Sequence, residues 1–498
     1  MLTSVVTSII ERMFEKIDDA ALVDVIAAEA KASAVSDARK YAAIAELERR
    51  RNTGEHSKWA SDDTDAVAAE IAAALNIGHG RALGEIDIAK MLRKQLPKVA
   101  ALFAAGQING RRVWLIEQRI RLVTDPEALT ELDDTIAERI TAWGPLSEYK
   151  LIDAIDVWVD KIDPGALRRV RNGARTRDVT VTDADSTGTA AVYGRLLATD
   201  AALVKQRLDA MARSVCEDDP RTLAQRRSDS LGALGAGAQY LSCMCEDPEC
   251  PAKLDDGRAS SVVVHVVAEQ VSTQAQLDPQ LNGDGLAPEE VPQQPQESQP
   301  TPRKKAALIV DGGIVPAPLL AELITRGAKV RPVAAPKPEP EARYRPNTAL
   351  DEFVRTRDLT CRFPGCDRPA TKADIDHTVP YPAGATHPGN LKCYCRTHHL
   401  IKTFWPGWSD QQLADGTVVI TTPTGHTYTT KPGITLYFPT GTVPTPAPPS
   451  TPVEPAENRG LMMPTRKRTR AKARADRIKA ERALNDAYVA ERNTPPPF

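Results

Sequence analysis

Cys361-Arg362-Phe363-Pro364-Gly365-Cys366, followed by Cys395-Arg396-Thr397-His398-His399, decides the architecture of the carboxy-terminal half of this 498-residue chain. Two short-spaced pairs, Cys361 with Cys366 and Cys395 with His398, have the residue types and spacing of a tetrahedral zinc clamp. Pro364-Gly365 lets the first loop turn back on the metal. Arg396 to Phe404 contains no Pro or Gly, so a helix is expected to begin at the second pair. A module of about 60 residues has only a marginal core of its own. A structural zinc contributes roughly 10–16 kcal/mol of apparent binding free energy to small domains. The clamp is therefore predicted to be what makes the module fold. The competing reading is four unrelated residues on a reduced surface.

A second set is interleaved with the first: Asp376-His377, Asn390 and His399. Phosphodiester hydrolysis needs a cation to polarise the phosphate and a base to take a proton from water. Ala373 to Val379 reads as a strand, so the Asp376 and His377 side chains point to opposite faces. His399 follows a clamp ligand on the helix and projects about 100° away from it. One helical turn can thus face the clamp with His398 and a second site with His399. Asn390 closes a Gly-containing loop, Gly384 to Gly389, which its amide can tie down. Cys393 is an extra thiol, either a packed strand residue or a substitute ligand. His56, His79, His387 and His426 read as solvated loop or turn residues.

The bulk properties set the frame. The chain is long enough for two or three domains. With 64 basic against 66 acidic residues, overall charge gives no hint of a nucleic-acid partner, so any basic surface must be local. No apolar run reaches the length of a membrane span, and Met1 to Ile17 reads as an amphipathic helix, not a signal peptide. Clustered cysteines in such a chain favour metal over disulfides, and a cytoplasmic location is expected.

The predicted fold is mainly helical with a small sheet, an α+β arrangement. Residues 1–270 form a helical domain. Apolar residues at helical spacing mark Asp37–Arg51, Thr64–Leu75, Leu83–Leu96, Arg111–Leu122, Pro126–Trp143 and Ser147–Ile162. Asp178 to Thr182 and Thr189 to Leu197 alternate around a turn, Asp183 to Gly188, as a hairpin does. Helices follow at Asp200–Val215 and Thr222–Leu241, and the β-branched run Ser261–Val267 is expected to join the hairpin. Residues 271–304 are Gln/Pro-rich and expected to be disordered. Residues 305–343 hold a short helix, Pro316–Arg326, and a Pro-rich link. The ligand module with a closing hairpin, Gly416–Thr430, spans 344–432. A Pro/Thr linker covers 433–464, and 465–498 is a basic helical tail.

The module resembles the HNH endonuclease family, with its ββα-metal core. The resemblance runs through the cysteine pair, Asp376-His377, Pro380, Asn390-Leu391, Cys395-x-x-His398-His399 and Lys402. It implies that His377 is the general base, that Asp376 and His399 hold a catalytic divalent ion, commonly magnesium, and that Asn390 orients the His377 loop. It implies a DNA substrate, with Lys402 as a phosphate contact. His398 stands where the family often has Cys, and either ligand suits zinc. The wider layout resembles actinobacterial, mycobacterial-type proteins with an amino-terminal domain of unknown function, number 222, often associated with mobile elements. Asp219-Pro-Arg-Thr-Leu-Ala-Gln-Arg-Arg-Ser-Asp-Ser-Leu231, Val263 to Val267, Tyr344-Arg-Pro and Arg357-Asp-Leu-Thr-Cys-Arg-Phe-Pro-Gly-Cys366 carry that likeness. The alternative function is a zinc-stabilised DNA- or protein-binding module without catalysis; a third is assembly through the helical domain.

Two features stand apart. Cys243, Cys245 and Cys250 could supply three ligands of a second zinc, with Cys216 or His265 as the fourth, or be surface or core thiols. The tail places Arg466, Lys467, Arg468, Arg470, Lys472 and Arg474 before any acid, which reads either as a DNA-backbone contact or as a solvated helix.

Overall fold

The structure, a computed structural model, describes residues 14, 17–167, 177–182, 189–258, 266–274, 282–283, 307–309, 314–325, 330, 332–439, 444–446 and 462–494. The amphipathic start, the turn 183–188, residues 259–265 with His265, and most of the two expected linkers lie outside the described residues.

Seven helices build the amino-terminal core: α1 (Asp19–Arg51), α2 (Asp63–Leu75), α3 (His79–Lys94), α4 (Pro97–Ala104), α5 (Gly110–Ile120), α6 (Pro126–Ala142) and α7 (Glu148–Ile162). Helix α1 starts eighteen residues before the expected Asp37, because no Gly or Pro interrupts this Ala-rich stretch and Asp18 caps it through the Ala21 amide. A reciprocal capping box between Asp62 and Asp65 starts α2. Asp125 with Pro126 at the first helical position starts α6. Phe103, Ile116, Leu132, Ile136 and Ile155 are fully buried at the centre of this bundle.

The hairpin β1 (Asp178–Val181) and β2 (Val192–Arg195) forms as expected. Helices α8 (Ala198–Ala212) and α9 (Leu223–Gly235) follow. One expectation is corrected here. The described part of the β-branched run, β3 (Val266–Val267), does not join the hairpin. It pairs with β4 (Ala307–Ile309), which pairs in turn with β5 (Ile314–Val315) ahead of α10 (Ala317–Thr325).

The ligand module comprises α11 (Thr348–Asp358), the antiparallel pair β6 (Asp374–His377) and β7 (Leu391–Tyr394), and α12 (Arg396–Phe404). A three-stranded meander follows, β8 (Ser409–Gln412), β9 (Val418–Thr421) and β10 (Thr427–Thr430), and then the short α13 (Ile434–Tyr437). The fully buried Asp358 carboxylate organises it. It accepts from Arg357 Nε at 2.8 Å, Arg362 Nη1 at 2.9 Å and the Cys393 amide at 2.8 Å.

The module packs against the helical bundle. Ala69 of α2 lies in one cluster with Phe363, Tyr394, Ile401 and Trp408, and Trp405 donates to the Ser61 carbonyl at 3.1 Å. The tail helices α14 (Arg470–Ala483) and α15 (Asp486–Asn493) lie on the same bundle. Arg466 and Arg470 pair with Asp62 and Asp65, Arg474 with Asp87, Arg482 with Asp163 and Arg492 with Asp160. Those five arginines are thus engaged internally. No helix among the described residues is long and apolar enough to cross a membrane.

Candidate functional site

The clamp assembles as its spacing implies. The donor atoms of Cys361, Cys366, Cys395 and His398 all lie within 4.8 Å of one another. The Cys361 and Cys395 sulfurs approach His398 Nδ1 at 3.5 and 3.3 Å, so Nδ1 is the nitrogen turned to the thiols. Tetrahedral zinc, with bonds of about 2.0–2.3 Å, needs ligand–ligand edges of about 3.4–3.8 Å. Phe363 stacks on the His398 ring at 3.9 Å, and Gly365 takes the left-handed backbone that turns the first loop. Hydrogen bonds from Cys361 and Cys366 hold the Cys395 thiol far below its usual range, while burial pushes Cys361 well above it. The cluster fits a metal such as zinc.

His79, expected to be solvated, is corrected by the structure. It begins α3 and is buried, with its ring edge-on to His398 at 5.3 Å and Nε2 3.1 Å from Asp65 Oδ1. The His79 Nδ1 and His398 Nε2 atoms are buried without partners. His56 packs between Trp59 and Trp405 and bonds Asp63, and His387 is buried, accepting from the Gly389 amide at 3.1 Å. Only His426 lies exposed as expected. Cys393 packs under α11 beside Leu350, Phe353 and Val354, away from the clamp.

The second set comes together beside the first. Asp376 and His377 do face opposite ways from β6. Asp376 turns to α12, where its Oδ1 lies 3.3 Å from His399 Nε2. The other His399 nitrogen, Nδ1, lies 2.8 Å from Asp374 Oδ2. Burial opposes protonation of His399, but Asp376 and Asp374 together raise its pKa. A carboxylate at Nδ1 is also the arrangement that orients metal-binding histidines, with Nε2 freed for the ion once a cation is bound. An octahedral ion with bonds of about 2.1 Å separates neighbouring ligands by about 3.0 Å, so the 3.3 Å spacing of Asp376 and His399 is that of a hydrogen-bonded pair and also close to that of two such ligands.

The other Asp376 oxygen, Oδ2, accepts from Lys392 Nζ at 2.8 Å and Lys402 Nζ at 2.9 Å. Lys392 is fully buried and also pairs with Asp410 Oδ2 at 2.9 Å, to which the Tyr394 hydroxyl donates. Burial opposes ionisation of Asp376, but Lys392, His399 and Lys402 together hold its carboxyl well below the usual range. Lys402 also donates to the His377 carbonyl at 2.6 Å. Its ammonium is therefore turned inward, towards Asp376 and the His377 carbonyl. Arg368, Lys372 and Arg396 are among the exposed cations here, Arg396 reaching Asp374 at 3.2 Å.

His377 stacks under Tyr344 at 5.2 Å and is 5% exposed. Its Nε2 lies 2.9 Å from Thr386 Oγ1, whose own proton is directed to the carbonyls of Arg343 and Tyr344. His377 is thus the donor at Nε2, and Nδ1 carries the lone pair. Burial, reinforced by Lys392, Lys402 and His399 against the pull of Asp376, lowers its pKa to about 4, so the ring is neutral at pH 7. Asn390 ties the loop as its position implies. It donates to the carbonyls of Val379 and Ala385 and accepts from the Val379 amide at 2.8 Å.

Sequence reasoning missed Asp374, Lys392, Asp410, Tyr344 and Thr386. Asp374 was accessible to it, since it lies two residues before Asp376 on the same strand face. The cysteines of the other cluster gather separately, with Cys216 completing Cys243, Cys245 and Cys250.

Residues 27–358 match the family described as "Domain of unknown function (DUF222)". The chain belongs to this family. It is similar over its whole length to the uncharacterized protein Rv2100 of Mycobacterium tuberculosis (strain ATCC 25618 / H37Rv), 52% identical across 95% of that protein. The uncharacterized protein Rv3776 of the same strain is 51% identical over 96% of this chain and 92% of its own length. A Mycobacterium tuberculosis "Uncharacterized protein in est 3'region" is 49% identical over 68% of this chain. No solved structure matches. The family match ends at residue 358, so the clamp and the Asp376 site lie beyond it.

Proposed function

We propose that the carboxy-terminal module is an HNH-type endonuclease that hydrolyses DNA phosphodiester bonds and is stabilised by zinc on Cys361, Cys366, Cys395 and His398. The observation that carries this reading is His399, held by Asp374 at one nitrogen and presenting the other to Asp376 at 3.3 Å. Asp376 and His399 would hold the catalytic divalent ion, magnesium or another, which when bound supplies charge to polarise the phosphate. His377, neutral, takes the proton of the attacking water at Nδ1, the ring nitrogen not engaged with Thr386. Asn390 holds the loop that follows His377. Arg368 and Arg396 meet the DNA backbone, and their contribution is salt-dependent.

A general base contributes about 10²–10⁴-fold. Purified full-length protein with magnesium or manganese is expected to nick supercoiled plasmid, and His377→Ala to lose at least about 100-fold of that rate. Equal nicking by both proteins, or none by either, removes the nuclease reading.

A second reading, a zinc-stabilised DNA- or protein-binding module without catalysis, is favoured by one observation. Two ammonium groups already saturate Asp376 Oδ2, and His377 is covered. This reading expects DNA retention that needs no magnesium and is insensitive to His377→Ala.

A further inference from the structure

The second cysteine cluster lies in a segment that has few other means of holding its shape. From residue 236 to residue 257 the chain forms neither helix nor strand. Its local apolar support is small, chiefly Met211, Val215, Ala233 and Leu241. Yet Cys243, Cys245 and Cys250 are all buried there, and Cys216 reaches them from the end of α8. The four sulfurs lie within 4.8 Å of one another, with Cys216 and Cys243 at 3.3 Å.

Four mutually close sulfurs are not what disulfides produce, since those join sulfurs pairwise at about 2.05 Å. Their separations, 3.3 Å for Cys216–Cys243 and none above 4.8 Å, bracket the edge of a tetrahedral zinc–thiolate site, about 3.8 Å for bonds of about 2.3 Å. Soft thiolates in this number select zinc over hard cations. The backbone is already folded as a knuckle around the cluster. The Cys243 amide donates to the Ala252 carbonyl at 2.9 Å, Cys250 to Asp247 at 3.3 Å and Lys253 to Cys250 at 3.0 Å.

A buried ion pair holds that knuckle from behind. Arg221 and Asp219 are fully buried at their side chains and bond twice, at 3.0 and 2.7 Å. Arg221 Nη2 donates to the Ser242 carbonyl at 2.7 Å, and Asp219 Oδ2 accepts the Met244 amide at 2.9 Å. The backbone on both sides of Cys243 is therefore fixed by one ion pair. Asp229 Oδ2 holds Arg221 Nη1 at 2.6 Å, and Arg226 donates to the Asp219 carbonyl. A buried pair of this kind is poor at adding net stability and well suited to imposing geometry. The segment Asp219–Asp229 thus acts as the outer shell of the cysteine cluster.

We propose that Cys216, Cys243, Cys245 and Cys250 form a second, tetrathiolate zinc site, structural in role, positioned by Asp219 and Arg221. It is independent of the Cys361 clamp and of any nuclease activity.

The test is metal counting on the full-length chain by native mass spectrometry. Two zinc ions per chain are expected, falling to one in Cys245→Ser and, from the other site, to one in Cys361→Ser. One zinc in the wild type, unchanged by Cys245→Ser, overturns the proposal. Should a serine variant fail to fold, cobalt substitution of the wild type decides. The proposal expects two equivalents with thiolate-to-cobalt charge-transfer absorption, one of them tetrathiolate in character. A single such equivalent overturns it. Alkylation of the unfolded wild type is expected to find all eight cysteines free after chelation; two oxidised pairs among these four would assign them to disulfides. Arg221→Lys keeps the charge but loses the fork, and is expected to speed zinc loss from this site at least about tenfold while leaving the clamp unaffected. Equal loss from both sites would deny Arg221 its positioning role.

Discussion

Asp374→Ala isolates the feature on which the Asp376 site depends. The carboxylate lies 2.8 Å from His399 Nδ1, and its other partner is the exposed Arg396 at 3.2 Å. Without it the imidazole can rotate or carry its proton on Nε2, where the lone pair is needed. Loss of such an outer partner lowers metal affinity by about 10–100-fold. Asp374 is 39% exposed at its side chain, so water can replace part of the interaction, and the lower end is expected. That is about tenfold, or about 1.4 kcal/mol. The assay is calorimetric titration of the zinc-loaded full-length chain with manganese, with zinc content measured in parallel. Arg396→Ala is the control. It removes the exposed cation that pairs with the same carboxylate at 3.2 Å but leaves the histidine hydrogen bond, and manganese affinity should stay within about twofold. Wild-type affinity in Asp374→Ala would show that His399 is not oriented by this carboxylate. An equal loss in Arg396→Ala would reduce the effect to diffuse electrostatics.

Three further outcomes are expected. Lys392→Met leaves the buried Asp410 and one face of Asp376 without their shared cation, and should cost about 3 kcal/mol or more in urea unfolding, the range for breaking a buried pair; a stability gain would show that packing alone matters there. Gly365→Ala places a Cβ 2.5 Å from the Ile77 carbonyl at a φ of +69°, so strain of roughly 1–2 kcal/mol plus the clash should lower the melting temperature; an unchanged transition would refute the close seating of the clamp loop on the bundle. His79→Ala should release clamp zinc to a chelator about tenfold faster if its ring supports His398, whereas unchanged release would confine His79 to packing.

The clamp was legible because its ligands come in short-spaced pairs whose geometry is local. The same holds for the helices, whose periodicity and caps lie within a few residues. The His399 partner Asp374 could have been read from strand alternation. Asp410 could not, because the β8 strand carries it to Lys392 from 34 residues beyond Asp376. Tyr344 and Thr386 likewise meet His377 only in three dimensions. His79 was misread because flanking glycines suggest a turn, while Gly78 in fact precedes a helix that buries the ring. The β3 strand was assigned to the nearest hairpin in sequence, but its partner lies across the Gln/Pro-rich segment. The basic character of the tail was plain from composition. Its acceptors, Asp62, Asp65, Asp87, Asp160 and Asp163, are scattered over the bundle and converge only on folding.

The most direct measurement is the single-turnover rate of plasmid nicking by the zinc-loaded chain at saturating manganese, beside His399→Ala of equal zinc content. The account predicts conversion of supercoiled to open-circular DNA by the wild type and a loss of about 100-fold or more in the variant, because His399 shares the cation with Asp376. Equal rates in the two proteins, or no nicking by either, would contradict it.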